Sequence, residues 1–227
     1  MITSAIVKCQ LLDEELLEMT KDAVATIRSY VEELILVDQA SVVGQEWMSK
    51  TADIYIRNKV SGGFPVTVKQ GMAVAKGDYV AVLNNDIKFQ GDWVFPLVQL
   101  LEKENVALVH PKLLDWGKEF ETGDTVIYNP SPKDGMFFSA FMLNPKIYKE
   151  LGGWDTEYDF WGYDDWDYYY RLRKAKYNAI WTDRVSYWHK GGATISKIGR
   201  DQYVEKNRLT FINKHGRDPQ NIDWAFL

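Results

Sequence analysis

Two spacings of apolar residues alternate along the first half of the chain. Short, largely apolar runs, typical of buried strands, lie at residues 5–9, 33–37, 79–83 and 106–109. Between them, apolar residues recur at helical spacing in residues 13–31, 65–76 and 93–104. Asp13 stands where its side chain can cap the first helix. This rhythm predicts an α/β fold, with a mostly parallel central sheet and flanking helices.

The second half has weaker periodicity. Residues 115–134 are rich in Gly, Asp, Pro and Asn, which predicts a long loop. Strands are predicted at residues 137–143 and 178–182, and helices at 145–151, 164–176 and 200–215. Since no repeat or linker interrupts the chain, we expect one domain, 1–227. Within it we expect a first half at about 1–110, a smaller second portion at about 111–195 and a helical tail at 196–227.

Polar side chains follow two of the predicted buried strands. Asp38 ends one strand, and Asn84, Asn85 and Asp86 end another. In open α/β sheets, ligands bind beyond the carboxyl ends of the strands. Asp86 could hold a hard divalent cation through oxygen, and that cation would offset the charge of a diphosphate. The alternative is a structural turn, because Asn and Asp are frequent in turns.

Composition narrows the classes of partner and the compartment. The chain has 227 residues and a net charge of −5, so it offers no broad cationic surface for nucleic acid. No apolar run reaches the roughly 20 residues of a membrane helix, and the N-terminus lacks the pattern of a signal peptide. Its single cysteine, Cys9, is expected to be a buried thiol. We therefore expect a cytoplasmic protein without an integral membrane segment.

A dense acidic and aromatic segment begins the helix predicted at residues 164–176. Three carboxylates, those of Asp164, Asp165 and Asp167, lie within four residues. A helix N-terminus tolerates such charge through its dipole and free N–H groups, and should keep a carboxylate ionised. One carboxylate could then be the general base for a hydroxyl group. Alternatively, Asp164 is simply the helix N-cap.

His189 is a third candidate, because two glycines follow it closely. On its own it is either a metal ligand or a loop residue. The order of the three features is more specific than any one of them. Oxygen ligands after a central strand are followed about 80 residues later by an acidic helix start, and then by a histidine.

In this order, the sequence resembles the family-2-type glycosyltransferases of GT-A fold from residue 3 to residue 194. The matching positions in the first half are Asp38, Asn58, Gly63-Phe64, Gly77-Asp78 and the D-x-D position at Asn84-Asn85-Asp86. Those in the second half are Gly152-Gly153-Trp154-Asp155, Asp164-Asp165, Arg171 and His189-Lys190-Gly191-Gly192. Residues 161–167 also resemble the W-G-x-E-D-D motif of β-1,4-galactosyltransferases. Two departures are Asn84, which replaces the first acid of D-x-D, and Lys69, which stands where the family often has Asn.

The resemblance implies an inverting, metal-dependent transfer from a nucleoside-diphosphate sugar, with UDP-sugar favoured, to an acceptor glycan or another hydroxyl-bearing molecule. It implies that residues 1–110 form the nucleotide-sugar-binding half and residues 111–195 the acceptor and catalytic half. It also implies donor contacts from Asp38, Asn58, Lys69, Asn84, Asn85 and Asp86. Asp86 and His189 would hold Mn²⁺ or Mg²⁺, with Asp165 as general base and Asp164 positioning the acceptor. Acceptor stacking would come from Trp161, Tyr163 and Trp166.

Two other function classes compete with this interpretation. A sugar-phosphate nucleotidyltransferase shares the layout but needs a glycine-rich loop after the first strand, where this chain has no glycine before Gly44. A non-catalytic carbohydrate-binding protein would use the aromatic cluster, yet it would not need Asp86, Asp165 and His189 in this order.

Overall fold

The computed structural model describes residues 1–134, 138–192, 201–224 and 227. Its strands are β1 Thr3–Cys9, β2 Glu33–Gln39, β3 Ile54–Asn58, β4 Tyr79–Asn84, β5 Ile87–Phe89, β6 Val106–Asp115, β7 Val126–Tyr128, β8 Ala140–Leu143 and β9 Asn178–His189. Its α-helices are α1 Glu14–Arg28, α2 Gln45–Thr51, α3 Gly63–Val74, α4 Val94–Leu101, α5 Pro145–Glu150, α6 Asp164–Lys174 and α7 Asp201–His215. Short 3₁₀ turns lie at Pro132–Asp134 and Pro219–Asn221.

A single nine-stranded sheet forms the centre of the molecule. Its order is β3-β2-β1-β4-β8-β6-β9-β5, and β7 pairs with β9. The four strands β3, β2, β1 and β4 are parallel, as the pattern of alternating strands and helices predicts. Beyond β4 the pairing is mixed, since β8 is antiparallel to both of its neighbours whereas β6 and β9 are parallel. The predicted α/β class is confirmed.

Helices cover both faces of this sheet because the buried strands are apolar on both sides. One face carries Val7 and packs against α1 and α4. The opposite face carries Ile6 and packs against α3 and α6. Asp13 caps α1 as predicted, its carboxylate accepting a hydrogen bond from the Leu16 amide at 3.0 Å. In the described part of the chain, none of the helices combines the length and the apolarity that a membrane crossing requires.

Several predicted boundaries are corrected by the structure. The loop predicted at residues 115–134 contains β7, which pairs antiparallel with β9. The prediction missed β7 because a three-residue strand is too short to show a period; it also missed β3, β5 and α2. Strands β6 and β9 run on to Asp115 and His189, well past their predicted ends. The predicted starts at residues 137 and 200 lie outside the described residues.

Candidate active site

A cavity of about 720 Å³ opens at the carboxyl ends of β1 and β4. The chain goes from β1 to β2 on one side and later to β4 on the other, so the crevice between β1 and β4 is the switch point where open α/β sheets bind ligands. Many of the predicted site residues line this cavity: Asn84, Asn85, Asp86, Trp161, Tyr163, Asp164, Asp165, Trp166 and His189. Three of the predicted donor residues do not: Asp38, Asn58 and Lys69.

Asp86 and His189 meet although they are far apart in sequence. Strand β5 follows Asp86 directly and pairs antiparallel with β9, so that Ile87 is opposite His189. This pairing places Asp86 Oδ1 3.1 Å from His189 Nε2. Asn84 Nδ2 lies 3.3 Å from the same ring nitrogen, and the Lys190 amide donates to the Asp86 carbonyl at 3.0 Å. The strand pair therefore fixes the carboxylate and the imidazole on one side of the cavity.

These two side chains suit a divalent cation whose coordination shell is completed by a substrate. A carboxylate oxygen and an imidazole nitrogen point at each other, and both belong to the ligand types of Mn²⁺. In the described ranges, no cluster of three or more His, Cys, Asp or Glu side chains could hold a metal ion. The remaining ligands would have to be phosphate oxygens and water, an arrangement common for hard cations bound with nucleotides.

Asn85 has a structural partner beside the cavity. Its side chain is buried, and Nδ2 donates a hydrogen bond to Thr20 Oγ1 on α1 at 2.7 Å. This bond ties the turn after β4 to α1. Asn85 thereby holds the Asp86 backbone in place.

The start of α6 supplies the acidic wall of the cavity. Tyr163 precedes the helix in a left-handed conformation, with φ of 63°. Asp164 is the first helical residue and is buried. Its two carboxylate oxygens accept hydrogen bonds from Trp154 Nε1 at 2.8 Å and from the Gly162 amide at 3.1 Å. The alternative in which Asp164 is the N-cap is therefore wrong, because Tyr163 occupies that position.

Asp165 is the less enclosed of the two adjacent carboxylates. Its Oδ1 accepts a hydrogen bond from the Trp166 amide at 2.9 Å, and the side chain is partly exposed. Burial raises the pKa of Asp165, and the neighbouring Asp164 charge raises it further. Burial also raises the pKa of Asp164. We expected the helix N-terminus to keep these carboxylates ionised, but desolvation outweighs it because it disfavours the charged form.

Aromatic rings line the cavity around the start of α6. Trp161, Tyr163 and Trp166 are all partly exposed in the cavity wall. The Tyr163 and Trp166 rings meet edge to face at 5.4 Å, and Trp166 packs against Trp224 at 5.6 Å. Gln220 Nε2 donates to the Tyr163 hydroxyl at 2.8 Å. The C-terminal segment thus fixes the orientation of two of the three predicted acceptor-binding rings.

Helix α7 holds the loop before α6, a role that no sequence pattern indicated. Asn207 on α7 is fully buried. Its Nδ2 donates to the carbonyls of Asp159 and Trp161 at 2.6 and 2.9 Å, and its Oδ1 accepts from the Asp159 amide at 2.9 Å. Phe160 between them stacks on Tyr203 at 5.3 Å. An isolated Asn within a helical pattern has no local signature of this bridging role.

Asp38 lies at the end of β2 and is fully buried. Tyr55 Oη and the Ser41 amide each donate to its carboxylate at 2.7 Å. Arg57 Nη1 lies 3.4 Å from Asp38 Oδ2. The carboxylate is thus bonded within the protein, and its contact with a donor nucleoside stays a prediction.

The other two predicted donor residues also lie outside the cavity wall. Asn58 and Gln70 exchange two amide hydrogen bonds, at 2.9 and 2.8 Å, which tie β3 to α3. Lys69 is exposed in the middle of α3. Donor roles for Asn58 and Lys69 stay predictions, and the structure places neither side chain beside Asp86.

Comparison with known proteins gives family and structural relatives. The profile described as "Glycosyl transferase family 2" matches residues 5–150, and the one described as "N-terminal domain of galactosyltransferase" matches 127–194. A curated relative from Macaca fascicularis, "Inactive polypeptide N-acetylgalactosaminyltransferase-like protein 5", is 23% identical over 169 residues; the match covers 59% of this chain and 38% of the relative.

A solved structure, "Crystal structure of GalNAc-T7 with UDP, GalNAc and Mn2+", superposes with a TM-score of 0.70 at 14% identity. The match covers 93% of this chain and 48% of that one, so the likeness concerns the fold. The chain therefore spans less than half the length of each of these two proteins. Because the family 2 profile matches more than half of this chain, the protein belongs to glycosyl transferase family 2.

Proposed function

We propose that this protein transfers a sugar from a nucleoside-diphosphate donor, with UDP-sugar favoured, to an acceptor hydroxyl. The observation that carries the proposal is the cavity at the switch point, which joins Asp86 and His189 on one side to Asp164 and Asp165 on the other. Such a site brings cation ligands and a candidate base into one cavity. Membership of glycosyl transferase family 2 supports the reaction class.

On the donor side, Asp86 and His189 would hold Mn²⁺ or Mg²⁺. A bound cation of this kind neutralises charge that develops on a leaving diphosphate. GalNAc-T7, which shares the fold, was solved with UDP and Mn²⁺, and this supports a nucleotide and metal requirement here.

On the acceptor side, we assign the base role to Asp165 and the positioning role to Asp164. Both oxygens of Asp164 already accept hydrogen bonds, whereas Asp165 is partly exposed in the cavity wall. A raised pKa makes Asp165 a stronger base than an ordinary aspartate.

The chemistry proposed is a direct displacement with inversion. Asp165 takes the acceptor hydroxyl proton while that oxygen forms a bond to the anomeric carbon. The bond from the anomeric carbon to the diphosphate oxygen breaks, and the diphosphate leaves with the electron pair. Trp161, Tyr163 and Trp166 present ring faces or edges on which the acceptor sugar can pack.

The macaque relative carries the word "inactive" in its name, which raises the alternative of a non-catalytic sugar-binding protein. A panel of UDP-sugars with purified protein and Mn²⁺ separates the two functions. Transfer predicts release of UDP from at least one donor, with faster release when the right acceptor is added. Thermal stabilisation by a UDP-sugar with no UDP release from any donor would indicate a binding protein instead.

A further inference from the structure

Lys8 is a cavity residue that the motifs do not mark. It lies near the end of β1, where a lysine interrupts the apolar run from Ala5 to Cys9. Its side chain is partly buried and lines the cavity. The ammonium nitrogen is 5.5 Å from the centre of the Phe160 ring. Among the described residues that line the cavity, Lys8 is the single lysine or arginine.

The register of the sheet puts Lys8 next to the oxygen-ligand turn. Lys8 and Asn84 are direct partners in the parallel pairing of β1 with β4. Since side chains alternate along a strand, both lie on the face that carries Ile6 and Val82. Asp86 follows two residues later. The Lys8 side chain therefore shares the switch point with the predicted cation ligands.

The charge of Lys8 has no fixed counterion among the described residues. No hydrogen bond or ion pair joins its ammonium to any of them. Burial lowers the pKa of Lys8, whereas the charges of Asp86 and Asp164 oppose this effect. A partly buried ammonium gains most from an anion that enters the cavity, because the anion replaces lost hydration.

The amide at position 84 explains why this charge remains available. A carboxylate there would be the neighbour of Lys8 on the same sheet face and a ready ion-pair partner. Asn84 is neutral and lies against His189 instead. With a neutral Asn84 beside Lys8, this part of the cavity is more positive than it would be with an acid at position 84.

We propose that the Lys8 ammonium binds the diphosphate of the nucleotide donor and shares the neutralisation of its charge with the cation at Asp86 and His189. This inference rests on the proposed function, because it concerns the same donor. A diphosphate is favoured over a neutral acceptor sugar because only the diphosphate carries negative charge that can serve as the counterion of Lys8. Lysine contacts phosphate as a point charge, so the contact needs no paired geometry.

The test measures the affinity of UDP, uridine and inorganic pyrophosphate by calorimetry, with Mn²⁺ and with EDTA. Lys8→Met keeps the length of the side chain and removes the charge. We expect it to weaken UDP and pyrophosphate by about 10- to 100-fold, both with Mn²⁺ and with EDTA, and to leave uridine unchanged. Lys8→Arg should restore most of the UDP affinity.

Lys88→Met is the matched control. Lys88 lies on β5, outside the cavity lining, and pairs with Asp22 at 2.7 Å. Its loss should leave UDP affinity unchanged. Far-ultraviolet circular dichroism and melting temperature establish that each variant is folded, and a Lys8→Met that does not fold leaves Lys8→Arg and the pyrophosphate titration of the wild type to decide.

Three outcomes would overturn the inference. UDP affinity that is equal in Lys8→Met and wild type would remove Lys8 from the donor site while leaving the proposed function standing. Equal losses for UDP and uridine would mean that Lys8 acts on the fold of the site. A folded wild type that binds neither UDP nor pyrophosphate, with or without Mn²⁺, would overturn both this inference and the proposed function.

Discussion

Two pairs of neighbouring strands, β2 with β3 and β1 with β4, end in the same polar residue types but use them in opposite ways. At the ends of β2 and β3, Asp38 is bonded to Tyr55 and Ser41, and Asn58 to Gln70. At the ends of β1 and β4, the polar groups face an open cavity. The first set ties elements together, whereas the second set is available to a ligand. A polar residue after a buried strand therefore has a binding role most readily where the strand order reverses.

The largest expected effect is on the acidic wall of the cavity. Asp165→Asn should lower turnover by about 100-fold or more, because the amide cannot accept the acceptor proton. Donor affinity should stay nearly the same, since the proposed role of Asp165 is toward the acceptor and not the donor. Steady-state kinetics and donor titration measure the two quantities separately. Near-normal turnover in the folded variant would remove the base role from Asp165.

Asp165 should also give the reaction rate an unusual dependence on pH. Because burial and Asp164 raise the pKa of Asp165, the base is lost to protonation at a higher pH than an ordinary aspartate, whose pKa is about 3.9. The value of kcat/KM should fall by about tenfold per pH unit below that raised pKa. A profile that stays flat down to pH 5 would contradict the raised pKa of the base.

Replacement of Asp165 by Asn should raise the stability of the fold although it lowers turnover. A carboxyl group with a raised pKa binds more protons in the folded state, so its stabilising effect is present at low pH and is lost as the pH rises through the folded pKa. At neutral pH, Asp165→Asn should therefore raise the melting temperature, by about 2 to 4 °C for each kcal/mol gained. A melting temperature that falls at neutral pH would show that the charged carboxylate stabilises the fold.

The next effect concerns the pair that β5 and β9 bring together. Asp86→Ala and His189→Ala should each remove the gain in donor affinity that Mn²⁺ provides, about 10-fold or more. Calorimetry with UDP, with and without Mn²⁺, gives this gain directly. Asp22→Asn, an exposed carboxylate on α1, is the control and should keep the full gain. An unchanged Mn²⁺ response in both alanine variants would exclude the pair as the metal site.

The smallest effect on catalysis is expected at the ends of β2 and β3. Asp38→Asn weakens a fully buried set of hydrogen bonds and an ion pair with Arg57, so it should cost about 1 to 3 kcal/mol of unfolding free energy. Urea denaturation measures this cost. Turnover should change much less than in Asp165→Asn. A variant as stable as wild type that has lost donor affinity would show that Asp38 contacts the donor directly.

Long apolar runs allowed most of the sheet to be predicted, whereas the short strands could not be predicted. The runs at β1, β2 and β4 indicated a parallel sheet because strands buried on both faces are largely apolar along their length. Strand β5 has three residues and no readable period, yet it is the strand that brings Asp86 to His189. The family resemblance, based on the order of the motifs, predicted that Asp86 and His189 lie together. The local pattern around β5 could not predict this contact.

Within the site, residues that belong to motifs were found and isolated ones were missed. Asp164, Asp165 and His189 stand in recognisable segments, and the structure places them around one cavity. Asn207 had no signal because its role depends on a contact across 46 to 48 residues of sequence. Lys8 did leave a signal, namely a charged residue within an apolar strand, where a lysine is rarely buried without a reason.

We propose that glycosyl transfer takes place in the cavity at the ends of β1 and β4. A crystal structure of the protein with UDP and Mn²⁺ is the decisive test of this location. We expect a metal ion bound by Asp86 and His189, with the diphosphate between that ion and Lys8. A nucleotide bound elsewhere, with Asp86 and His189 still in mutual contact and no ion between them, would contradict it.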